Sequence, residues 1–187
     1  MEETKQSFEG LNISKKEFEN RHFSVCEFNN CDFSKASFNF ARFEECRFYN
    51  CNLSLVTLAG TKLQTVHFDN CKVLGITFSK CDKFALAFYF KNCLIKNCSF
   101  SEIKLKKAEF SNSKIEESDF INCDLPESDF SGSEFKDTIF NNANLQKSNF
   151  YDATGYSINP MNNRIYKAVF SMPDAISLID HLGVIIK

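Results

Sequence analysis

Nine cysteines and three histidines are the residues of this 187-residue chain whose chemistry is most open to question. Thiols can build a disulfide framework, hold zinc or carry redox reactions. A zinc site draws its ligands from closely spaced pairs, and a disulfide framework uses its cysteines two by two. Here the number is odd, no C-x-x-C pair occurs, and His22, His67 and His181 are scattered. Neither a zinc site nor a secreted disulfide framework fits. The chain also lacks a nucleophile–base constellation, a phosphate-binding glycine loop and paired carboxylates in an evident cleft. It is therefore not read as an enzyme, and no catalytic, cofactor-binding or metal residue is assigned.

The cysteines follow a spacing that runs through the whole chain. Steps of five from Phe8 land on Ile13, Phe18, Phe23, Phe28, Phe33 and so on to Phe78, all large and apolar. The next step meets Lys83. The period resumes two residues out of phase at Phe90 and runs to Phe150. These 28 central positions hold eighteen of the 22 phenylalanines, so the period accounts for the unusual composition. Residues two places earlier form a second series of mostly small side chains, and all nine cysteines belong to it. Residues two apart in extended chain point to the same side. Each five-residue unit thus turns one large and one small residue inward, and the cysteines read as compact, nearly apolar fillers. The other three positions, rich in Asp, Asn, Ser, Glu and Lys, face outward or turn a corner. Self-similarity at a fixed period marks a solenoid, whose units bury their inner faces only by stacking on one another.

Units such as "CDFSK", "SDFSG", "CDLPE" and "ANLQK" resemble those of the pentapeptide-repeat family, over about residues 6–155. The resemblance implies an all-β solenoid, a right-handed quadrilateral β-helix with four units in each 20-residue coil. Central positions 20 apart then stack. If the phase break counts as two inserted residues, one column reads Phe8, Phe28, Phe48, Phe68, Phe90, Phe110, Phe130, Phe150. A seven-residue insertion would replace its upper part with Leu105, Leu125 and Leu145, so the two-residue reading is preferred. About seven coils at the strand spacing give a rod of about 35 Å. In the column Cys31, Cys51, Cys71, Cys93 the side chains run parallel, poor geometry for a disulfide, and reduced thiols are expected. Lys83 cannot lie unpaired in such a core. The chain must bulge near residues 82–87 and expose some of Phe84, Leu86 and Tyr89, either as a tolerated insertion or as a partner contact.

The period stops at Gly155, which divides the chain into a repeat domain, 1–155, and a C-terminal segment, 156–187. Pro173 and Gly183 bracket a short α-helix of about residues 173–182, with Ala175, Ile176, Leu178, Ile179 and Leu182 on one apolar stripe. "GVIIK" reads as a short apolar strand. This segment either caps the last coil or joins two copies. Ile176, Ile179 and Leu182 are the expected dimer contacts, and a homodimer through the C-terminus is also what the topoisomerase-associated members of the family imply.

The tail, "DATGYSINPMNNRI" and then "LGVIIK", is similar to that of the microcin B17 immunity members of the family and, more loosely, of its quinolone-resistance members. Those imply a bacterial cytoplasmic DNA mimic, without cofactor, that binds DNA gyrase or topoisomerase IV and protects it from a quinolone or microcin-like toxin. Resistance members from Gram-negative bacteria carry long loops where this chain has only the bulge at 82–87. The start, "MEETKQSFEG", lacks a signal peptide's apolar core, no stretch spans a bilayer, and a net charge of −2 does not mark a direct nucleic-acid binder. Sorted by face, the outward charges are polarised. The Phe-column face carries Glu9, Glu27, Asp69, Glu109, Asp129 and Asp152 against Arg47 and Lys91, a net −4; the six acids are the candidate partner-binding residues. The fourth face carries Arg21, Arg42, Lys62, Lys104, Lys106, Lys107 and Lys147, diluted by Glu44, Glu45, Asp124 and Glu127. The alternative is a protein-interaction scaffold unrelated to topoisomerases.

Overall fold

Inward and outward residues alternate, and the strands they form are only two to four residues long. The computed structural model describes residues 2–13 and 16–184. Every strand pairing in it is parallel, and the register displays the winding rule. Phe8 lies opposite Phe28, Phe28 opposite Phe48 and Phe48 opposite Phe68. Phe68 then meets Phe90, and Phe90 meets Phe110. The chain advances 20 residues per turn everywhere in this column except across Phe68–Phe90, where it advances 22. The result is a parallel β-solenoid of about eight turns with one short C-terminal helix.

The first face, behind the Phe column, is a six-stranded sheet from Ser7–Glu9 to Glu109–Ser111. The second contains the strands Lys72–Leu74, Leu94–Lys96, Lys114–Glu116 and Glu134–Lys136. The third is held by bridges such as Ser37–Thr57 and Thr77–Ser99 and by the pair Asp119–Ile121 and Ile139–Asn141. The fourth pairs Glu2–Thr4, His22–Ser24, Arg42–Glu44 and Lys62–Gln64. At the corners the backbone enters the left-handed region, as at Asn30, Asn50, Asn70 and Asn92 with φ of 53°, 53°, 53° and 55°. Asn and Gly accept that conformation at low cost, which explains their recurrence at this step.

Inside, the rings stack along each column and meet edge-on across the rod. Phe28 and Phe48 are 4.7 Å apart at 15°, whereas Phe23 and Phe28 are 5.3 Å apart at 78°; both arrangements are favourable for aromatic pairs. The small inward residues do more than fill space. The Cys51 thiol donates to the Phe28 carbonyl at 3.2 Å, and the Cys51 N–H donates to Cys71 Sγ at 3.4 Å. The same link runs from Cys71 N–H to Cys93 Sγ, from Cys93 N–H to Ser113 Oγ and from Ser113 N–H to Ser133 Oγ. A buried corner N–H, which must find an acceptor, thus finds it in the side chain one turn later. All nine cysteines are buried and free. Burial pushes the Cys46, Cys81 and Cys123 thiols up to about 12.

The bulge at 82–87 lies on the fourth face. Phe84 projects with 73% of its surface exposed, Lys83 is exposed, and Leu86 turns back against the core. Asp82 shapes the turn by accepting the Phe84 N–H at 2.8 Å, and it pairs with Lys62 at 3.8 Å. Phe88 then enters the core opposite Val66. The strand ladder of this face ends at Lys62–Gln64 and restarts only at the bridge Lys104–Asp124.

The winding continues past Gly155, where the five-residue period had been expected to stop. Thr154 bridges Glu134, Ile158 bridges Phe140, Arg164 bridges Asn144, and Asn149–Phe150 pairs with Val169–Phe170. Ile158 follows Phe140 by 18 residues, so this last turn is cut short by two before Ile165 and Phe170 recover the phase. Gly155 is required at the cut: a Cβ there would sit 2.2 Å from the Phe135 carbonyl oxygen. The expected helix over 173–182 is shorter, a 3₁₀ turn Asp174–Ile176 followed by an α-turn Ser177–Asp180. It docks by hydrogen bonds from the Gly155 N–H to Asp174 (3.0 Å) and from the Ser177 hydroxyl to the Tyr156 carbonyl (3.2 Å). Most of the expected strand "GVIIK", residues 185–187, lies outside the described residues. No helix among the described residues is long and apolar enough to cross a membrane.

Candidate partner-binding face

On the first face the residues just before and just after each central Phe point outward. Glu27, Glu109 and Asp129 stand in the column before it, Glu9 and Asp69 in the column after it, and Asp152 at the adjoining corner. Glu109 and Asp129 are bridge partners one turn apart. The acids do not form an unbroken stripe. Arg47, His67 and Tyr89 fill the first column between Glu27 and Glu109, while Tyr49 and Lys91 flank Asp69 in the second. The His67 and Tyr89 rings stack at 4.6 Å and 19°, beside a shallow groove of about 270 Å³. Partial burial, and secondarily the Arg47 charge, lower the His67 pKa against the opposing pull of Glu109, so this ring is neutral at neutral pH.

Neighbours hold the carboxylates in place. Glu9 accepts the Asn30 amide at 2.7 Å, Asp69 the Asn92 amide at 3.1 Å and Glu109 the Ser111 hydroxyl at 2.7 Å. Asp129 accepts the Ser131 N–H at 3.0 Å and the Asn149 amide at 3.1 Å through the same oxygen. In each of the four, the second oxygen has no hydrogen-bond partner among the described residues. The six acids also take part in no ion pair among the described residues.

The fourth face is different. Arg21 pairs with Glu3 at 2.7 Å, Arg42 with Glu44 at 3.5 Å, Lys62 with Asp82, and Lys106 with Glu127 at 3.3 Å. Much of its basic charge is answered within the face. Sorting charges by face alone misses this contrast, because pairing depends on which residues lie one turn apart. Lys62 and Asp82, separated by 20, were the readable sign.

At the far end Ile176 and Ile179 are half-buried, and Leu182 is 50% exposed. The last turn and the tail also expose Met161, Tyr166, Val169, Met172 and Val184. Among the described residues, no group of three or more His, Cys, Asp or Glu is placed to hold a metal ion.

Among solved structures, a trypsin-treated variant of QnrB1, a plasmid-mediated fluoroquinolone resistance protein, superposes with a TM-score of 0.79 at 18% identity, covering 100% of this chain and 92% of that one. A second trypsin-treated QnrB1 variant gives 0.65 at 18%, with both chains covered fully. Full-length QnrB1 gives 0.54 at 20%, covering 98% of this chain and 100% of that one. At these identities the likeness is one of fold. A comparison with curated proteins finds no significant match. The family described as "Pentapeptide repeat region" matches residues 21–95 and 83–150, most of the winding traced above, and the chain belongs to the pentapeptide-repeat family.

Proposed function

We propose that this protein binds a type II topoisomerase, DNA gyrase or topoisomerase IV, through its first face as a partial DNA mimic, and so relieves inhibition by a quinolone or microcin-like poison. It acts by binding, without catalysis or cofactor, in the bacterial cytoplasm. The observation that carries this reading is the set of six first-face acids free of ion pairs among the described residues, several of them held by neighbouring groups. A basic channel built for phosphates gains from carboxylates that are already positioned and need not break an internal pair. The interruption by Arg47, His67, Tyr89 and Lys91 makes the mimicry partial and leaves two acidic zones, around Glu9 and Glu27 and around Glu109 and Asp129. The shared fold with a fluoroquinolone resistance protein supports the same reading. Two copies joined through Ile176, Ile179 and Leu182 at the C-terminal end would lengthen the acidic surface.

The test is a supercoiling assay with purified gyrase, with and without a quinolone or microcin. Wild type should restore supercoiling in the presence of poison, less well as salt is added. The double variant Glu109→Lys with Asp129→Lys should fail while keeping its circular dichroism spectrum, because both side chains point outward. Protection undiminished in that variant would rule out the acidic face. A wild type that neither binds gyrase nor alters supercoiling would favour a scaffold unrelated to topoisomerases.

A further inference from the structure

The third face carries a groove of about 530 Å³, larger than the one on the first face. Its surroundings are unusual for this molecule. The outward residues along this part of the face are Ser37, Asn39, Thr57, Ala59, Thr77 and Ser79, all uncharged and small. Two large apolar residues stand at the corners of this face, Leu55 lining the groove and Phe40 just beyond it, next to the lining residue Asn39. Leu55, 52% exposed, leans over Gly75, where an added Cβ would lie 2.7 Å from Leu55 Cδ2. On the opposite corner Phe40, 66% exposed, lays its ring over Gly60, where an added Cβ would lie 2.7 Å from Phe40 Cδ1. The glycines of one turn thus make room for the apolar corners of the turn before.

Neither corner residue is explained by the fold. Both have left-handed backbone, with φ of 59° at Phe40 and 60° at Leu55, at the step where Asn and Gly are the low-cost choices. Each accepts backbone strain and exposes apolar surface without filling the core. Lys, Glu and Thr also occupy left-handed corners elsewhere in the chain; what sets these two apart from those is a large apolar side chain turned to solvent, which points to a surface used in binding. The charge around the groove is mixed: Glu17 and Glu19 lie one turn before Ser37 and Asn39, with Glu19 accepting the Ser37 hydroxyl, and Glu102 lies one turn after Lys80. Two lysines stand nearest the apolar corners, Lys35 one turn before Leu55 and Lys80 one turn after Gly60; both are exposed, and neither takes part in an ion pair among the described residues.

We infer that this groove docks a short apolar segment of a partner protein, anchored between Leu55 and Phe40 and flanked by carboxylates that pair with Lys35 and Lys80. The small hydroxyl and methyl side chains of the floor allow a partner backbone to approach closely. The neutral patch spans about three turns, about 10 Å along the rod at the strand spacing, and about three extended residues, about 10 Å, across the face, an area on the order of 100 Å². That is far below the roughly 800 Å² per partner of a stable interface between folded domains, so a single segment fits it better than a second rod. Free unpaired lysines select acidic flanks over basic ones. This surface lies on a different face from the proposed topoisomerase contact and is independent of it.

The probe is a peptide library displayed on phage and panned against the full-length chain. The counter-selection uses the double variant Phe40→Asn with Leu55→Asn. Asn suits the left-handed corners, so the variant should unfold at no lower denaturant concentration than wild type. Enriched peptides should share two or three apolar residues with Asp or Glu beside them. A fluorescein-labelled peptide from that pool should bind wild type in an anisotropy titration at least about tenfold more tightly than the double variant, as expected for loss of buried anchors. It should also lose affinity for Lys35→Glu with Lys80→Glu. Four outcomes would overturn the inference: no enrichment, enriched peptides with basic flanks, equal binding to wild type and Phe40→Asn/Leu55→Asn, or wild-type self-association that this variant abolishes. A double variant less stable than wild type would equally overturn it, since Phe40 and Leu55 would then serve the fold.

Discussion

Replacing Phe28 with alanine should destabilise the protein more than the same change at Phe68, although both belong to one column and both are buried. Phe28 stacks on Phe8 and Phe48 at 5.0 and 4.7 Å, and meets Phe23, Phe33 and Phe43 edge-on at 5.3, 5.7 and 6.2 Å, with Phe18 tilted at 5.9 Å. Phe68 has two ring partners, Phe48 at 5.1 Å and Phe90 at 5.0 Å. Its surroundings are aliphatic, with Leu53, Leu58, Leu63 and Val73 around a void of about 10 Å³. Burial of a Phe is worth about 1.5–3 kcal/mol at either site. Aromatic pairs add about 0.5–1.5 kcal/mol each, and Phe28 has four more of them. They share the same ring, so the excess is well below their sum. Large-to-small changes of this kind cost about 3–5 kcal/mol; Phe28→Ala belongs near 5 and Phe68→Ala near 3. Aliphatic neighbours beside an existing void also collapse more readily than a lattice of rings. The assay is urea unfolding followed by far-ultraviolet circular dichroism, with the slope compared between variants. Equal costs, or a greater cost at Phe68, would refute the claim that the ring lattice of the first turns is the tightest part of the core.

Three further outcomes follow from the structure. Cys71→Ala removes the acceptor of the buried Cys51 N–H and should cost about 1–3 kcal/mol, whereas Cys71→Ser keeps an acceptor, as Ser113 does, and should cost clearly less; equal losses in urea would show that the thiol only fills space. Thiols raised from 9.0 to about 12 at Cys46, Cys81 and Cys123 stay protonated in the folded chain while the unfolded chain ionises, so their contribution is intact below pH 9 and is lost as pH rises from 9 towards 12. A urea midpoint that declines over that range in wild type and less steeply in Cys46→Ser is the expected result, and identical pH profiles would contradict it. Ile179→Glu should give a folded monomer by light scattering where wild type is a dimer, and a monomeric wild type would remove the proposed C-terminal contact.

Much of the winding was legible because a single inward residue type repeats. The family resemblance implied the 20-residue turn, the unbroken series of Phe at 8, 28, 48, 68, 90 and 110 agreed with it and identified the two-residue slip, and the register reproduces both. The last turn was not legible, since Gly155 and Pro160 occupy the next two steps of five, so the period reads as stopping at Gly155, and Ile158 substitutes by a shortened path. Ile165 and Phe170 had kept the phase, and were the signal to follow. The thiol ladder was half legible: position gave the filling role, but the hydrogen bonds needed the observation that Ser113 and Ser133 occupy the same column as Cys93. For the candidate face, sequence arithmetic assigned the acids to one side. It did not reveal that Arg47, His67 and Tyr89 separate them, because total charge carries no order along a column.

The bulge on the fourth face bears on how the rod comes apart. In a solenoid each turn is coupled only to its neighbours, and cooperativity passes from turn to turn through those junctions. Across the turn that contains residues 82–87, pairing continues on the first face (Phe68–Phe90), the second (Val73–Ile95) and the third (Thr77–Ser99). On the fourth, no backbone hydrogen bond among the described residues joins 82–87 to 102–107. One junction therefore has three seams where others have four. It divides the array into two blocks, one ringed by phenylalanine on all four sides near its start and one closed by the last turn and its short helix. Amide protons next to this junction are the ones whose exchange should separate first from the global unfolding of either block.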